Sequence, residues 1–175
     1  MTTLDLKQIQ ISSAIDLFSK GEINQALDAV QDLLKDYPNE PVLFNIRGAC
    51  YADLGQLDVA VTNYKEAITI KPDYAKAHFN LAGSLHDLGQ LETAVQSYQK
   101  AIEIDASYTE AYNNLGNVYQ ELKQVDSAVQ SYQKALEIKP DYVAAQYSLG
   151  NTFMELGQLE EAVKSYKAAL KLKPD

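Results

Sequence analysis

Asparagine is the residue type whose spacing in this sequence best suits a chemical task, the recognition of a peptide backbone. Its amide both donates and accepts hydrogen bonds, as a peptide bond does. Asparagine is also a mediocre helix former, so a row of asparagines within helices needs a reason. The candidates are Asn45, Asn80, Asn113, Asn114, Asn117 and Asn151. Two explanations stay open for this row, the binding of an extended peptide and hydrogen bonding between helices.

Residues that could catalyse a reaction or bind a metal are not spaced for either task. Cys50 is the single cysteine. His78 and His86 stand eight residues apart, whereas paired metal-binding histidines on a helix stand four apart. The sequence contains no phosphate-binding glycine loop and no G-x-S-x-G nucleophile motif. We therefore predict no catalytic residue, no metal site and no cofactor, and we interpret Cys50 as a packing residue.

Composition and charge limit the class of partner. The formal net charge of -9 disfavours binding to nucleic acid or to anionic lipid, because both need a basic surface. Neither a basic and apolar leader nor a run of about 18 apolar residues is present. A single cysteine suits a reducing compartment. These features predict a cytoplasmic protein whose partner is another protein or a peptide.

A 34-residue repeat organises almost the whole sequence. The segments AVTNYKEAITIKPDY, AVQSYQKAIEIDASY, AVQSYQKALEIKPDY and AVKSYKAALKLKPD begin at residues 60, 94, 128 and 162. The repeats are 7–40, 41–74, 75–108, 109–142 and 143–175. Repeats of this length predict a single domain over 1–175, built from similar helical units that stack on one another.

Each repeat carries the signals of two helices and a tight turn. Glycine at repeat position 15 suits the left-handed end of a first helix. Small residues at positions 20 and 27 and an aromatic residue at position 24 share one face of the second helix. Glycine at position 8 then allows the paired helices to approach while tyrosine fills the gap. The glycines concerned are Gly21, Gly55, Gly89 and Gly157 at position 15, and Gly48, Gly116 and Gly150 at position 8.

Proline at position 32 is expected to end the second helix, and the next residue to cap the following first helix. The prolines are Pro38, Pro72, Pro140 and Pro174, and the expected caps are Asn39, Asp73, Ser107, Asp141 and Asp175. Ser107 with Glu110 also matches a capping box. Two departures stand out: Lys123 replaces the turn glycine, and Ala106 replaces the proline, which predicts a looser junction.

The spacing of these small, aromatic and proline positions resembles that of the tetratricopeptide repeat family. The resemblance implies an all-α fold, a right-handed α-solenoid superhelix of antiparallel helix pairs. It also implies that the first helices line a concave groove for a peptide or a partner segment, as in an interaction scaffold. The groove residues we predict are Asn45, Lys76, Phe79, Asn80, Asn113, Asn114, Asn117, Tyr147 and Asn151. The apolar residues Ile11, Ile15, Phe18 and Ile46 predict an apolar end for the bound segment.

Three further interpretations stay open. The asparagine row is similar to the ladder in the repeat arrays of protein O-linked glycosyltransferases, which suggests a substrate-recruiting array of a larger enzyme. The acids at position 13 would attract a basic segment, although a solvated face explains them more simply. They are Asp53, Asp87, Glu121 and Glu155.

The last repeat raises the third question. Asp175 is expected to cap a helix that the sequence does not contain, and Leu159, Val163, Tyr166 and Leu170 are expected to expose an apolar face. Truncation of a longer protein explains this best. A structural homodimer formed through the last helix is the alternative.

Overall fold

The computed structural model describes residues 3–173, with side chains from residue 6 onward, and over that range it contains ten α-helices and no strand. The helices are α1 (Thr3–Ser19), α2 (Ile23–Asp36), α3 (Pro41–Asp53), α4 (Leu57–Ile70), α5 (Ala75–Asp87), α6 (Leu91–Ile104), α7 (Thr109–Glu121), α8 (Val125–Ile138), α9 (Val143–Glu155) and α10 (Leu159–Leu172). Odd numbers mark the first helix of a repeat and even numbers the second. The all-α prediction is confirmed. The helix stop expected at Pro174 and the cap expected at Asp175 lie outside the described residues.

The helices form two compact parts, Met1–Gly89 and Gln90–Asp175. In the first part each helix packs on the next, and the first helices α1, α3 and α5 also contact in series. The second part repeats this arrangement from α6 to α10, with α7 against α9. Helices α2, α4 and α8 therefore each lie between the first helix of their own repeat and that of the next.

A glycine opposite a tyrosine ring sets the spacing of the two helices within a repeat. A Cβ atom built on Gly116 would lie 2.5 Å from Cε1 of Tyr132. The same construction gives 2.6 Å for Gly48 against Tyr64. Ordinary carbon contacts are about 3.5–4.0 Å, so even alanine does not fit at these positions without movement. The predicted role of glycine at repeat position 8 is confirmed.

The turn between the two helices of a repeat is left-handed at position 15. Gly21, Gly55, Gly89 and Gly157 have φ angles of 71° to 77°. Lys123 adopts the same conformation with φ of 62°, the only non-glycine residue with positive φ within the described range. Apart from the adjoining residues of the chain, no atom lies within 4 Å of a Cβ built on any of these four glycines, so the turn restricts the backbone and leaves room for a side chain.

Replacing Lys123 with glycine is expected to stabilise the fold. A residue with a Cβ is destabilised by about 1–2 kcal/mol in the left-handed region. Glycine removes this cost, but its greater entropy in the unfolded state offsets part of the gain in stability. The net increase in the free energy of unfolding should be about 0.5–1 kcal/mol by chemical denaturation. Gly89→Lys, the reciprocal change in a neighbouring repeat, should lower stability by a similar amount. A Lys123→Gly protein no more stable than wild type would contradict this account.

The second helices end two residues before the proline position, in a turn that proline suits but does not create. Lys71 and Lys139, which precede prolines, are extended, as the ring of a following proline requires. Asp105 is extended in the same way, although Ala106 follows it. Its carboxylate accepts hydrogen bonds from the backbone N–H (2.9 Å) and the hydroxyl (2.7 Å) of Ser107. The turn at Ala106 therefore has the same backbone shape as the proline-containing turns, with this side-chain turn in the place of the proline.

The expected caps at position 33 are wrong. The first helices begin two residues later, after Glu40, Tyr74, Tyr108 and Tyr142, and no side chain caps them. Position 33 lies instead inside the turn, which is closed by bonds such as that from the Tyr74 N–H to the Lys71 carbonyl, 3.2 Å. The Ser107 hydroxyl is bound to Asp105, so the capping box with Glu110 does not form.

Candidate functional site

The first compact part contains a small apolar pocket on its first helices. Its volume is about 100 Å³, and it is lined by Ile15, Phe18, Val42, Asn45, Ile46, Ala49, Tyr74 and Lys76. The lining includes three of the four apolar residues expected at the end of the groove. The fourth, Ile11, belongs to the core with Val30 and Leu43 and does not line the pocket. Ile46 belongs to the same core and is only 6% exposed, but it lines the pocket. Tyr74 was not predicted, although its recurrence at position 34 was a visible signal.

Asn45 and Asn80 form an amide pair that involves this pocket. The Nδ2 of Asn80 donates to Oδ1 of Asn45 at 3.0 Å. Asn45 is buried, whereas Asn80 and Phe79 are half-buried and Lys76 is exposed. Asn45 therefore holds the amide of Asn80 in place, and Asn80 keeps its own Oδ1 as an acceptor.

The second compact part has an amide pair of the opposite polarity between adjacent residues of α7. Asn113 is buried, and its Nδ2 donates to Oδ1 of the half-buried Asn114 at 3.2 Å. Asn114 thus keeps its Nδ2 as a donor. The buried Oδ1 of Asn113 has no hydrogen-bond partner among the described residues. In both pairs the structure places one predicted groove asparagine inside the protein and leaves the other partly open to a ligand.

Asn117 and Asn151 bind tyrosines of their own repeats. Oδ1 of Asn117 accepts from the Tyr132 hydroxyl at 2.9 Å, and Oδ1 of Asn151 accepts from the Tyr166 hydroxyl at 2.7 Å. The Tyr132 hydroxyl also lies 3.2 Å from Oε1 of Gln120. Together with the Asn80–Asn45 bond between α5 and α3, these contacts favour the alternative interpretation, hydrogen bonding between helices, for four of the six asparagines. Only the Nδ2 groups of Asn117 and Asn151 remain for a ligand.

Tyr147 lies at an exposed apolar site. It is 57% exposed, and its ring centroid is 5.8 Å from that of Tyr166. A cavity of about 620 Å³ adjoins both rings, lined by Val143, Ala144, Tyr147, Tyr166, Ala169, Leu170 and Lys173. Tyr147 was predicted on the groove, and Tyr166 and Leu170 on an uncovered face; all three line this cavity.

Charges at the ends of the first helices face solvent. Asp53, Asp87 and Glu155 are exposed. Two lysines at the ends of second helices contact tyrosine rings: Lys71 Nζ is 5.6 Å from the centre of the Tyr74 ring, and Lys139 Nζ is 5.7 Å from that of the Tyr142 ring. For these three acids the solvated-face interpretation fits the structure.

Cys50 is fully buried in the core of the first part. Burial raises the pKa of its thiol to about 11, with the charge of Asp53 adding to the effect. The thiolate that would act as a nucleophile is therefore scarce at neutral pH. Within residues 3–173 no group of three histidine, cysteine or acidic side chains could hold a metal ion. No helix in the same range has the length and apolar content of a membrane span.

Family models match most of the chain. A TPR repeat model matches residues 48–87 and 83–123, and the tetratricopeptide repeat model matches residues 109–142 and 143–175. These matches, together with the paired helices and the packing of glycine on tyrosine, show that the chain belongs to the tetratricopeptide repeat family.

Similar proteins share the fold or part of the sequence. The peroxisomal targeting signal receptor of Saccharomyces cerevisiae is 27% identical over 84 residues, which are 48% of this chain and 14% of the receptor. The crystal structure of MamA is 28% identical, with a TM-score of 0.83 over 92% of this chain and 94% of that one. YrrB, described as a TPR protein with an unusual peptide-binding site, has a TM-score of 0.76 at 22% identity, over 95% of this chain and 86% of that one. The chain thus spans a small fraction of the receptor's length.

Proposed function

We propose that this chain is a protein-interaction module that binds an extended peptide or partner segment on its first helices. The observation that carries the proposal is the pair of oriented amides. Asn80, held by Asn45, offers an acceptor, and Asn114, held by Asn113, offers a donor. An extended peptide carries both groups on its backbone, so such amides bind it with little regard to its sequence.

The pocket beside Asn45 would add side-chain preference in the first compact part. At about 100 Å³ it suits one aliphatic side chain of the ligand, against Ile15, Phe18 and Ile46. Lys76 at its edge would favour an acidic group nearby in the same ligand. In the second part, Tyr147 and the Nδ2 groups of Asn117 and Asn151 are the corresponding candidate contacts. YrrB provides a precedent for a peptide-binding site on this fold.

Cys50 is buried in the core and is therefore not among the groups that would contact a ligand, whereas Asp53, Asp87 and Glu155 are exposed. Ordering a flexible peptide is costly, so we expect dissociation constants in the micromolar range, about 1–100 μM.

Peptide selection followed by measured affinities tests the proposal. Peptides would be selected on wild-type protein from a random phage-displayed library and titrated by fluorescence anisotropy. Asn80→Ala and Asn114→Ala should each weaken binding by about three- to tenfold, because each removes a hydrogen bond worth about 0.5–1.5 kcal/mol. Asn24→Ala is the matched control, since Asn24 is an exposed asparagine on the second helix α2.

The ligand sequences provide a second readout. Selected peptides should share an aliphatic residue, and Ile15→Ser should weaken binding to peptides that carry it. Far-ultraviolet circular dichroism would check that each variant is folded. Equal affinity of wild type, Asn80→Ala and Asn114→Ala for every selected peptide would refute binding through these amides.

A further inference from the structure

Helix α10 exposes an apolar stripe whose equivalent on the other second helices is at least partly covered. Leu159, Val163 and Leu170 are 60%, 49% and 59% exposed. The equivalent residues of α8 are at least partly covered, and two of them, Val129 and Leu136, pack on the core cluster that contains Leu149 of α9. The cover is supplied in that case by the first helix of the next repeat. Nothing within residues 3–173 supplies it for α10.

We propose that α10 of a second copy of this chain covers the stripe, with the two helices antiparallel about a two-fold axis. The stripe consists of Leu159, Val163, Tyr166 and Leu170, at spacings of four, three and four residues. This alternation is the seam pattern by which two α-helices pack along their length. A two-fold interface uses the same patch on both copies, which a single self-complementary helix face can satisfy.

The charges beside the stripe match an antiparallel partner. Glu160 and Lys167 are seven residues apart, so they flank the same side of the stripe, and both are exposed. Antiparallel pairing places Glu160 beside Lys167 of the second copy, and the two-fold axis produces this ion pair twice. In a parallel pair the two copies of each residue would lie on opposite sides of the seam, and this Glu160–Lys167 ion pair would not form. The first turn of α10 is acidic, and its later turns carry Lys164 and Lys171. This distribution of charge along the helix also favours an antiparallel partner.

Helix α1 of the second copy is a poorer occupant. Other first helices bury residues such as Leu149 and Thr152 against the preceding repeat. The equivalent positions of α1 hold Ser13 and Asp16, both exposed. Head-to-tail stacking would bury the Asp16 carboxylate against the stripe without a partner, at a substantial cost in desolvation.

Sedimentation velocity from low micromolar to near-millimolar concentration tests the proposal. Wild type should pass from monomer to dimer. Glu160→Lys and Lys167→Glu should each raise the dimer dissociation constant by about five- to tenfold, because each change removes two symmetry-related ion pairs. The double variant restores opposite charges and should return the constant close to that of wild type.

Matched controls lie at the same repeat positions on α4, whose face is covered by α5. Asp58→Lys and Lys65→Glu alter exposed side chains there and should leave the dimer unchanged. The orientation of the two helices is tested by oxidising variants that each carry one added cysteine. Cys50 is buried and should not form a disulfide between copies. In the antiparallel pair Val163→Cys should cross-link readily, because the two copies are offset by about 5 Å along the helix, whereas Leu159→Cys is offset by about 16 Å and should not.

Two results would overturn the proposal. If wild type stays monomeric at every concentration, the stripe does not bind a second copy, and a further repeat or a helix of another protein would be its partner. A dimer that is indifferent to both charge reversals, or that cross-links through Leu159→Cys, would place the interface elsewhere or make it parallel.

Discussion

Gly116→Val should lower the free energy of unfolding by about 3 kcal/mol, the upper end of the usual cost of overpacking a core. A Cβ on Gly116 already lies 2.5 Å from the Tyr132 ring, and valine adds two methyl groups. The ring has no room to retreat, since Tyr132 is fully buried and its hydroxyl binds Asn117 and Gln120. The gain in helix propensity over glycine is only a few tenths of a kcal/mol. Chemical denaturation with a helical readout measures the loss.

Gly150→Val provides the matched control for this prediction. Gly150 occupies the same repeat position and faces Tyr166 at 2.7 Å. Tyr166 is only half-buried and adjoins the 620 Å³ cavity, so its ring can move toward solvent. The loss at Gly150 should be about half that at Gly116 or less. Equal losses at the two sites would show that the room available to the tyrosine ring does not set the cost.

Alkaline pH should unfold the chain through its buried tyrosines. Burial raises the pKa of Tyr132 to about 12, and burial raises the pKa of Tyr64 further still. The folded state therefore favours the neutral phenol, and this contribution is intact below the unfolded pKa of about 10. As the pH rises from about 10 to 12, Tyr132 alone should cost about 2 kcal/mol, most of the full cost of a pKa shift of this size at 1.36 kcal/mol per unit. Circular dichroism and tyrosinate absorbance should change together over this interval.

Tyr132→Phe separates ionisation from packing in that experiment. It removes the hydroxyl and its bonds to Asn117 and Gln120, so it should be about 1 kcal/mol less stable than wild type at neutral pH. Its stability should then fall less steeply between pH 10 and 12. A variant with the same pH profile as wild type would exclude Tyr132 as a source of the alkaline transition.

The fold was predictable because the residues that form the turn and the helix packing recur in several repeats. The positive φ of Lys123 followed from four glycines at the equivalent position, and the contact of Gly116 with Tyr132 followed from their spacing. The helix starts were not predictable in this way. Asp73 is a good cap by residue type, but the turn from Lys71 to Tyr74 moves it two residues ahead of the helix. Residue preference does not reveal which backbone carbonyl closes a turn.

The candidate site was predictable only in part. Helical spacing correctly grouped the asparagines on the first helices, but it carries no information about what the next repeat covers. Asn45 and Asn113 are buried because neighbouring first helices pack against them, while Asn80 and Asn114 at the next position stay partly open. The tyrosine partners of Asn117 and Asn151 depend on a second helix fifteen residues away. Exposure of a repeat position is thus a property of its neighbours in space.

The different hydrogen-bond partners of these amides also favour the correct pairing of helices during folding. Helices α6 and α8 share the sequence AVQSYQKA, so on apolar contacts alone either could dock in the place of the other. The polar contacts are not interchangeable. The Tyr132 hydroxyl finds Asn117 on α7, but the equivalent position of α5 is Gly83, which has no side chain to accept the bond. A chain mispaired by one repeat would lose the bond from the Tyr132 hydroxyl to Asn117, so this polar contact favours the native order of nearly identical repeats.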